Sequence, residues 1–432
     1  MKNSLLTLLL LLVACNSQRI INQDKYIVFD NINIIDVING GIIENQTVVI
    51  KDSIIDFIGT EWKSPPNSKI NRINGFHKYL IPGLWDMHFH LSWEKGNDSL
   101  LFPALFANGI TGIRDMGGDL EIQNKIKEAN KIRPEIYGAG PIIDGNPPVM
   151  YDFSIPVDTH TDISKLLDSI TNLGSDFIKT YSLIKYSELK KIADYTKRNN
   201  ITFAGHLSEY IDPEVSINLG QKSIEHLNRL DEIWATDSTR IYGIAEIMIK
   251  NGTWLCPTLD IYYNKMKMRD TSIFENKYEN YIHPILAKEW NKSRENAISK
   301  KDSLYWQKKE QEFNRNSRLV YFLQKKGVNI LAGSDFAGMP YVYPGIGLIK
   351  ELKLLNKAGL SNLEVIQTAT INPAKYFSIS NNFGSVTVGK FADLVVLNEN
   401  PLTEIGNIEA IELVIKKGEI VINTTAIIGS RK

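Results

Sequence analysis

The chain has 432 residues, of which 43% are apolar and 23% are charged, a composition ordinary for a globular protein. Its length fits one large α/β domain with an appendage, or two domains. Lysine plus arginine and aspartate plus glutamate are equal at 49 each, so no overall field attracts nucleic acid or another polyanion. We therefore expect no nucleic-acid partner.

The N-terminus predicts an export signal. Lys2 precedes an apolar run at residues 5–13, and Leu12-Val13-Ala14-Cys15 follows. A short positive region, an apolar run and small residues at the end are typical of a secretory signal. The run is well short of the roughly 20 residues that span a membrane.

Leu-Val-Ala-Cys also resembles the bacterial lipoprotein box, which implies that Cys15 is lipidated and becomes the first residue of the mature chain. We thus expect a signal at residues 1–15, a tether at 16–24, and an exported lipoprotein anchored by its lipid to a membrane of the bacterial cell envelope. Cys256, the only other cysteine, is predicted to be a small buried apolar residue.

Both ends of the remaining chain predict β structure. Short β-rich runs broken by Asn, Asp and Gly occupy residues 27–60, and similar runs occupy 384–397 and 411–420. The simplest interpretation is a small β-sandwich that is built from both chain termini, residues 25–78 and 385–425, around a central domain at 79–384.

The central domain alternates short apolar runs with helical patterns. Eight candidate strands are found, at residues 80–90, 110–116, 135–140, 177–182, 201–207, 223–227, 253–259 and 329–336. This alternation predicts the α/β class and a (β/α)8 TIM-type barrel, whose active site lies at the C-terminal ends of the strands. The charged segment 260–326 predicts a helical insertion, either a lid over the barrel mouth or a solvated segment with a packing role.

Metal-ligand residues stand at several of these strand ends. His88 and His90 close the first candidate strand, and two imidazoles separated by one residue on a strand face the same side, where one cation can bind both. Lys179 lies inside the apolar fourth candidate strand, where lysine is rare. The alternative is an outward lysine whose amine reaches solvent between helices.

Three further strands end in the same kind of residue. His206 closes the fifth candidate strand, His226 the sixth, and Asp335 the eighth. Each histidine alone could be a core residue, and Asp335 alone could cap a helix. Their common position at C-terminal strand ends indicates a metal site.

The order His-x-His, Lys, His, His, Asp on eight β/α units resembles the metal-dependent amidohydrolase superfamily in its two-metal form. The flanking sequences at residues 81–90, 111–118, 175–179 and 384–397 are similar to those of the imidazolonepropionase-like and prolidase-like amidohydrolases. The likeness covers roughly residues 26–421. It implies the same barrel with a β-sandwich formed by both chain ends.

The resemblance implies a six-ligand site for two divalent metal ions, with zinc as the expected metal. Its ligands are His88, His90 and Asp335 for one ion, His206 and His226 for the other, and Lys179, carboxylated by carbon dioxide, as a carbamate that bridges both. A hydroxide activated by the metals would attack the substrate carbonyl. Asp335 would be the catalytic residue that takes up its proton and delivers it to the leaving group.

Two residues are candidates for substrate binding. Tyr181 shares a strand face with Lys179 and could donate a hydrogen bond to a substrate oxygen; packing is the alternative. Arg114 could pair with a substrate carboxylate; a structural salt bridge to Asp115 or Asp86 is the alternative.

The predicted function is a hydrolase that cleaves an amide-type C–N bond in a small-molecule substrate, with a dipeptide or an N-acyl amino acid as the leading choice. The alternative substrate is a cyclic amide or lactone, as in imidazolonepropionase-like enzymes. A hypothesis of another class is a catalytically silent barrel that acts as a binding protein.

Overall fold

The structure, a computed structural model, describes residues 25–93, 98–270 and 281–424. The predicted signal, the lipidation site Cys15 and the tether lie outside the described residues. Within the part of the chain that the structure describes, no helix is long and apolar enough to cross a membrane.

The described residues alternate strands and helices along most of the chain. The strands are β1 (Lys25–Ile35), β2 (Ile42–Lys51), β3 (Ile54–Gly59), β4 (Lys69–Asn74), β5 (Tyr79–Pro82), β6 (Leu84–Phe89), β7 (Ile110–Asp115), β8 (Glu135–Gly138), β9 (Ile142–Gly145), β10 (Ser154–Val157), β11 (Ile178–Thr180), β12 (Phe203–Gly205), β13 (Ser223–Glu225), β14 (Trp254–Cys256), β15 (Leu394–Leu397), β16 (Ile411–Lys416) and β17 (Glu419–Asn423). The helices are α1 (Asp98–Ala107), α2 (Leu120–Ala129), α3 (Ile163–Asn172), α4 (Tyr186–Arg198), α5 (Pro213–Asn218), α6 (Leu230–Thr236), α7 (Ser238–Asn251), α8 (Leu259–Lys267), α9 (Pro284–Lys300), α10 (Ser303–Lys326), α11 (Ile346–Ala358), α12 (Asn362–Thr368) and α13 (Ile371–Tyr376).

One mixed sheet draws its strands from both ends of the described chain. Its order is β17-β16-β15-β5-β1-β2-β3, and β4 pairs with β1. Apolar side chains from both ends, among them Phe29, Val48, Leu394 and Leu413, share one buried cluster. Burial of these side chains holds the N-terminal and C-terminal strands together.

The boundary of this sheet differs from the expected one. Residues 79–82 were assigned to the central domain, but β5 pairs with β1 and β15 in the terminal sheet. Gly83 separates β5 from β6: its N–H donates to the Asp393 carbonyl, and a Cβ there would lie 2.1 Å from Thr111 Oγ1. The run predicted as one strand is therefore two strands in two sheets.

The central strands pair in parallel. One sheet has the order β6-β7-β8 and the other β10-β9-β11-β12-β13-β14. The third candidate strand, 135–140, is observed as β8, which pairs with β7, whereas β9, which follows at Ile142–Gly145 and pairs with β11, was not predicted from the sequence. Residues 329–335 join the two outer strands: Leu331 N–H donates to the Leu255 carbonyl of β14 at 2.8 Å, and Met87 N–H of β6 donates to the Ala332 carbonyl at 2.9 Å.

The predicted insertion at 260–326 contains most of α8 together with α9 and α10. The start of α10 is open to solvent, with Leu304 54% exposed, whereas Leu319, Val320 and Leu323 near its end are 0% exposed and belong to the largest apolar core. The last turns of α10 therefore pack as part of the central domain.

A buried ion pair crosses the interior between β7 and β13. Arg114 Nη2 lies 2.8 Å from both carboxylate oxygens of Glu225, and its other nitrogens donate to Ser223 Oγ at 2.8 Å and to the Met87 carbonyl at 2.6 Å. Both ionic side chains are fully buried.

This pairing corrects the expectation for Arg114. Neither Asp115 nor Asp86 is its partner, because the guanidinium points across the interior to a strand 111 residues further along the chain. Arg114 also has no exposed surface to offer a substrate. Its role is to position Glu225.

Replacing Leu323 by alanine is expected to lower the free energy of unfolding by about 2–5 kcal/mol, because it leaves a cavity in the core. The matched change Leu304→Ala, at the exposed end of the same helix, is expected to change it by less than about 0.5 kcal/mol. Denaturant unfolding of both variants checks this. Equal changes in the free energy of unfolding for the two variants would show that the end of α10 is not packed in the core.

Replacing Arg114 by methionine is expected to lower the free energy of unfolding by about 3–5 kcal/mol, since Glu225 would keep a buried charge without its partner. Arg240→Met is the control, because Arg240 pairs with Glu214 and Asp212 at the surface and is expected to contribute at most about 1 kcal/mol. Unfolding is measured in chelator, so that metal binding does not contribute. If Arg114→Met lowered the free energy of unfolding no more than Arg240→Met does, the buried ion pair would be contradicted.

Candidate metal centre

The six predicted ligands meet at the C-terminal ends of the central strands. Each is at most 8% exposed. They are His88 in β6 and His90 just after it, Lys179 in β11, His206 after β12, His226 after β13, and Asp335 after the segment that joins β14 to β6. Parallel strands bring these ends to one edge, which is why residues far apart in sequence lie together.

Asp335 is the centre of one group. Its Oδ1 lies 3.3 Å from His88 Nε2 and 3.2 Å from His90 Nε2, and its Oδ2 lies 4.0 Å from His226 Nε2. The ligand atoms of His88, His90 and Asp335 all lie within 4.8 Å of one another. Two imidazoles and a carboxylate at this spacing form a donor set suited to a divalent metal ion.

The other two histidines continue the cluster. The rings of His206 and His226 have centroids 4.7 Å apart, and the His226 ring lies at the same distance from the ring of His88. His226 therefore stands between the Asp335 group and His206.

Every histidine in the cluster has its Nδ1 tied to another group. The partners are Glu225 Oε2 for His88 at 2.9 Å, the Gly117 carbonyl for His90 at 2.9 Å, Ser182 Oγ for His206 at 3.0 Å, and Thr258 Oγ1 for His226 at 2.6 Å. Such partners fix the orientation of the ring and leave Nε2 for the metal. The same pattern at four rings indicates a preorganised metal centre.

Lys179 lies at the same edge with an unusual environment. Its side chain is 0% exposed, and its Nζ has no hydrogen-bond partner. Burial lowers the pKa of its amine to about 8, although Glu225 and Asp335 act in the opposite direction. A buried, unpartnered ammonium is costly, so the chemistry of this position needs an explanation beyond packing.

The ionisation of the cluster suits metal binding. Burial lowers the pKa of His88 to about 4 and lowers the pKa of His206 and His226 well below the ordinary value. These rings are neutral at pH 7, and the neutral imidazole is the form that binds a metal. Burial acts to raise the pKa of Asp335, but the neighbouring histidines hold it below its usual range and keep the carboxylate ionised.

Backbone geometry around the ligands is strained and tight. His226 and Asp335 have φ of 63° and 58°, in the left-handed region that residues with a Cβ rarely adopt. At Gly333 a Cβ would lie 2.6 Å from the Cβ of His88 and 2.7 Å from Cys256 Sγ. Only glycine allows the strand with Asp335 to approach His88 this closely.

Tyr181 lies beside the cluster. Its ring is half-buried and lies tilted by 31° against the ring of His206, with centroids 3.9 Å apart. Burial raises the pKa of its hydroxyl, so the group stays a hydrogen-bond donor at neutral pH. The position is compatible with the predicted contact to a substrate oxygen.

Sequence reasoning missed the residues that orient the histidines. Glu225 carried a signal, because a charged residue inside a short buried strand is as unusual as Lys179. Ser182 and Thr258 carried none, since hydroxyl residues are common at strand ends. Cys256 is buried as expected, and its Sγ lies within 4.8 Å of ligand atoms of His88 and Glu225.

Sequence comparison finds relatives among hydrolases. The chain is 24% identical to ochratoxinase from Aspergillus niger over 430 residues, which covers 85% of this chain and 80% of the relative. A shorter match of 104 residues is 33% identical to probable imidazolonepropionase from Homo sapiens and covers 23% of this chain and 24% of the relative.

Structure comparison finds the same fold in solved hydrolases. A prolidase complexed with N-methylphosphonate-L-proline superposes with a TM-score of 0.72 over 92% of this chain and 100% of the other, at 20% identity. The structure of ochratoxinase from A. niger superposes with a TM-score of 0.70 over 93% and 96% of the two chains, also at 20% identity. These neighbours imply a TIM-type barrel with an additional domain, in agreement with the α/β fold described above.

The model of the amidohydrolase family matches residues 79–421, a range that holds all six clustered residues. Enzymes of this family are hydrolases that act on amide-type C–N bonds and usually bind divalent metal. The match covers more than half of the chain, and the prediction of the superfamily is confirmed: the chain belongs to the amidohydrolase family.

Proposed function

We propose that the protein is a two-metal hydrolase that cleaves the amide bond of a dipeptide or an N-acyl amino acid. The observation that carries this proposal is the buried amine of Lys179, which has no hydrogen-bond partner and lies beside four oriented histidines and Asp335. A structural lysine would not be kept in this environment without a partner.

The donor set fits two divalent cations, with zinc as the expected metal. His88, His90 and Asp335 would hold one, and His206 and His226 the other. Lys179 would complete both sites as a carbamate, since addition of carbon dioxide to its neutral amine converts an unpartnered cation into an anionic oxygen ligand. The lowered pKa of Lys179 supports this step, because only the neutral amine reacts.

When bound, the divalent cations acidify water and polarise the scissile carbonyl. The catalytic residue of the chain is Asp335, whose ionised carboxylate can accept the proton of the attacking water and then give it to the departing amine. Tyr181 can donate a hydrogen bond to a substrate oxygen from beside His206. The fixed Nδ1 partners hold the histidines in place, so little reorganisation is needed during the reaction.

The comparisons support an amide substrate but differ in detail. Ochratoxinase matches most of the chain in sequence, and prolidase matches most of it in structure. Both matches favour an amide between an acyl group and an amino acid. The partial match to imidazolonepropionase favours the second candidate, a cyclic amide or lactone. A catalytically silent barrel is disfavoured by the complete donor set.

Replacing Lys179 by alanine is expected to abolish hydrolysis of a panel of dipeptides and N-acyl amino acids, because it removes the bridging ligand. Short-chain carboxylates such as acetate or propionate, added to the variant, are expected to restore part of the activity by occupying the space of the carbamate. Steady-state rates with and without the carboxylate check this.

Lys222→Ala is the control for this experiment. Lys222 precedes β13, at the strand end opposite to the metal centre, and packs against the ring of Tyr376. We expect this variant to hydrolyse its substrates at wild-type rates and to show no response to added carboxylates. Unchanged activity of Lys179→Ala would rule out the carbamate bridge.

A further inference from the structure

A cavity of about 600 Å³ adjoins the second pair of histidines. Its wall includes Ser182 and Leu207, which are the hydrogen-bond partner and the chain neighbour of His206. Asn228 and Arg229, which follow His226 by two and three residues, form another part of the wall. The cavity therefore lies next to the segments that follow β12 and β13, which carry His206 and His226.

Arg229 is a cation with unused hydrogen-bond donors at this cavity. Its Nη1 donates to the Ser208 carbonyl at 2.7 Å, and no carboxylate of the described residues pairs with it. The side chain is half-buried. A guanidinium has five N–H donors, so most of the donors of Arg229 remain available to a ligand.

Four carboxylates line the cavity together with Arg229, and two of them, Asp231 and Glu312, have basic partners. Asp231 Oδ2 lies 3.2 Å from Arg315 Nη2, and Glu312 pairs with Lys309. Both basic partners belong to α10, the helix that closes this side of the cavity. The other two carboxylates, Glu209 and Glu232, are exposed to solvent, and none of the four pairs with Arg229.

Arg229 is also held in an unfavourable backbone conformation. Its φ is 71° and its ψ is −42°, values that glycine adopts far more readily than a residue with a side chain. An arginine at such a position costs stability. The cost is explained if the side chain has a function.

We propose that Arg229 binds the free carboxylate of the amino acid that leaves in the reaction. The guanidinium fork suits a carboxylate, with which it forms two parallel charge-assisted hydrogen bonds. The protein would thus select dipeptides and N-acyl amino acids with a free carboxylate over the corresponding amides. This inference rests on the proposed function and narrows its substrate class.

The first test compares dipeptides and N-acetyl amino acids with their C-terminal amides as substrates of the metal-loaded full chain. The wild type is expected to prefer the free acids in kcat/KM. Arg229→Gln is expected to lower kcat/KM for the acids by about 10- to 100-fold and to leave the amides nearly unchanged. Equal losses on acids and amides, or an unchanged preference, would overturn the proposal.

Arg229→Gly separates binding from folding. It is expected to lose the preference for acids as Arg229→Gln does, while the midpoint of thermal unfolding rises because the strained backbone position is relieved. A purely structural arginine would instead lower the midpoint. Arg318→Gln, at an exposed arginine of α10, is the matched control and is expected to change neither property.

A binding measurement keeps this proposal distinct from the hydrolytic one. L-phenylalanine and L-phenylalaninamide are titrated by calorimetry into the metal-loaded wild type and into Arg229→Gln. The acid is expected to bind the wild type at least about tenfold more tightly than the amide, and the variant is expected to lose this difference. Absence of the difference in the wild type would overturn the carboxylate site, whereas its presence without any hydrolysis would count against the proposed function alone.

Discussion

The buried amine of Lys179 is the constraint on which the site depends. Lys179 is in the middle of a strand that is paired on both sides, so neither the backbone nor solvent can satisfy its Nζ. Placing an ammonium there is unfavourable by several kcal/mol. Conversion to a carbamate would replace the ammonium with an anionic oxygen ligand for the metal ions of the proposed function.

The four histidines illustrate how the fold prepares the site before any metal binds. Their Nδ1 partners come from separate strands and loops, and the partner of His88 is itself held by Arg114 from across the interior. A shift of any of these strands would turn a ring away from the centre. The left-handed backbone at His226 and Asp335 shows that local strain is accepted to achieve this arrangement.

Much of this arrangement could be predicted from the sequence, because parallel strands end at one edge and five of the eight candidate strands carry a ligand-type residue at or near that end. The pairing of Arg114 with Glu225 could not be predicted, since it joins strands that are distant in sequence and no local pattern encodes it. The split between β5 and β6 was missed for a different reason: the apolar run continues through Gly83, and only the contact with Thr111 requires a glycine there. Sequence patterns thus located the residues that cluster at this edge, and tertiary packing determined what orients them.

The most direct test of the central claim is the metal content of the purified full-length protein. Elemental analysis after equilibration with zinc or manganese and removal of free metal is expected to give about two transition-metal ions per chain. Fewer than one tightly bound ion per chain, together with no hydrolysis in added zinc or manganese, would contradict the two-metal account.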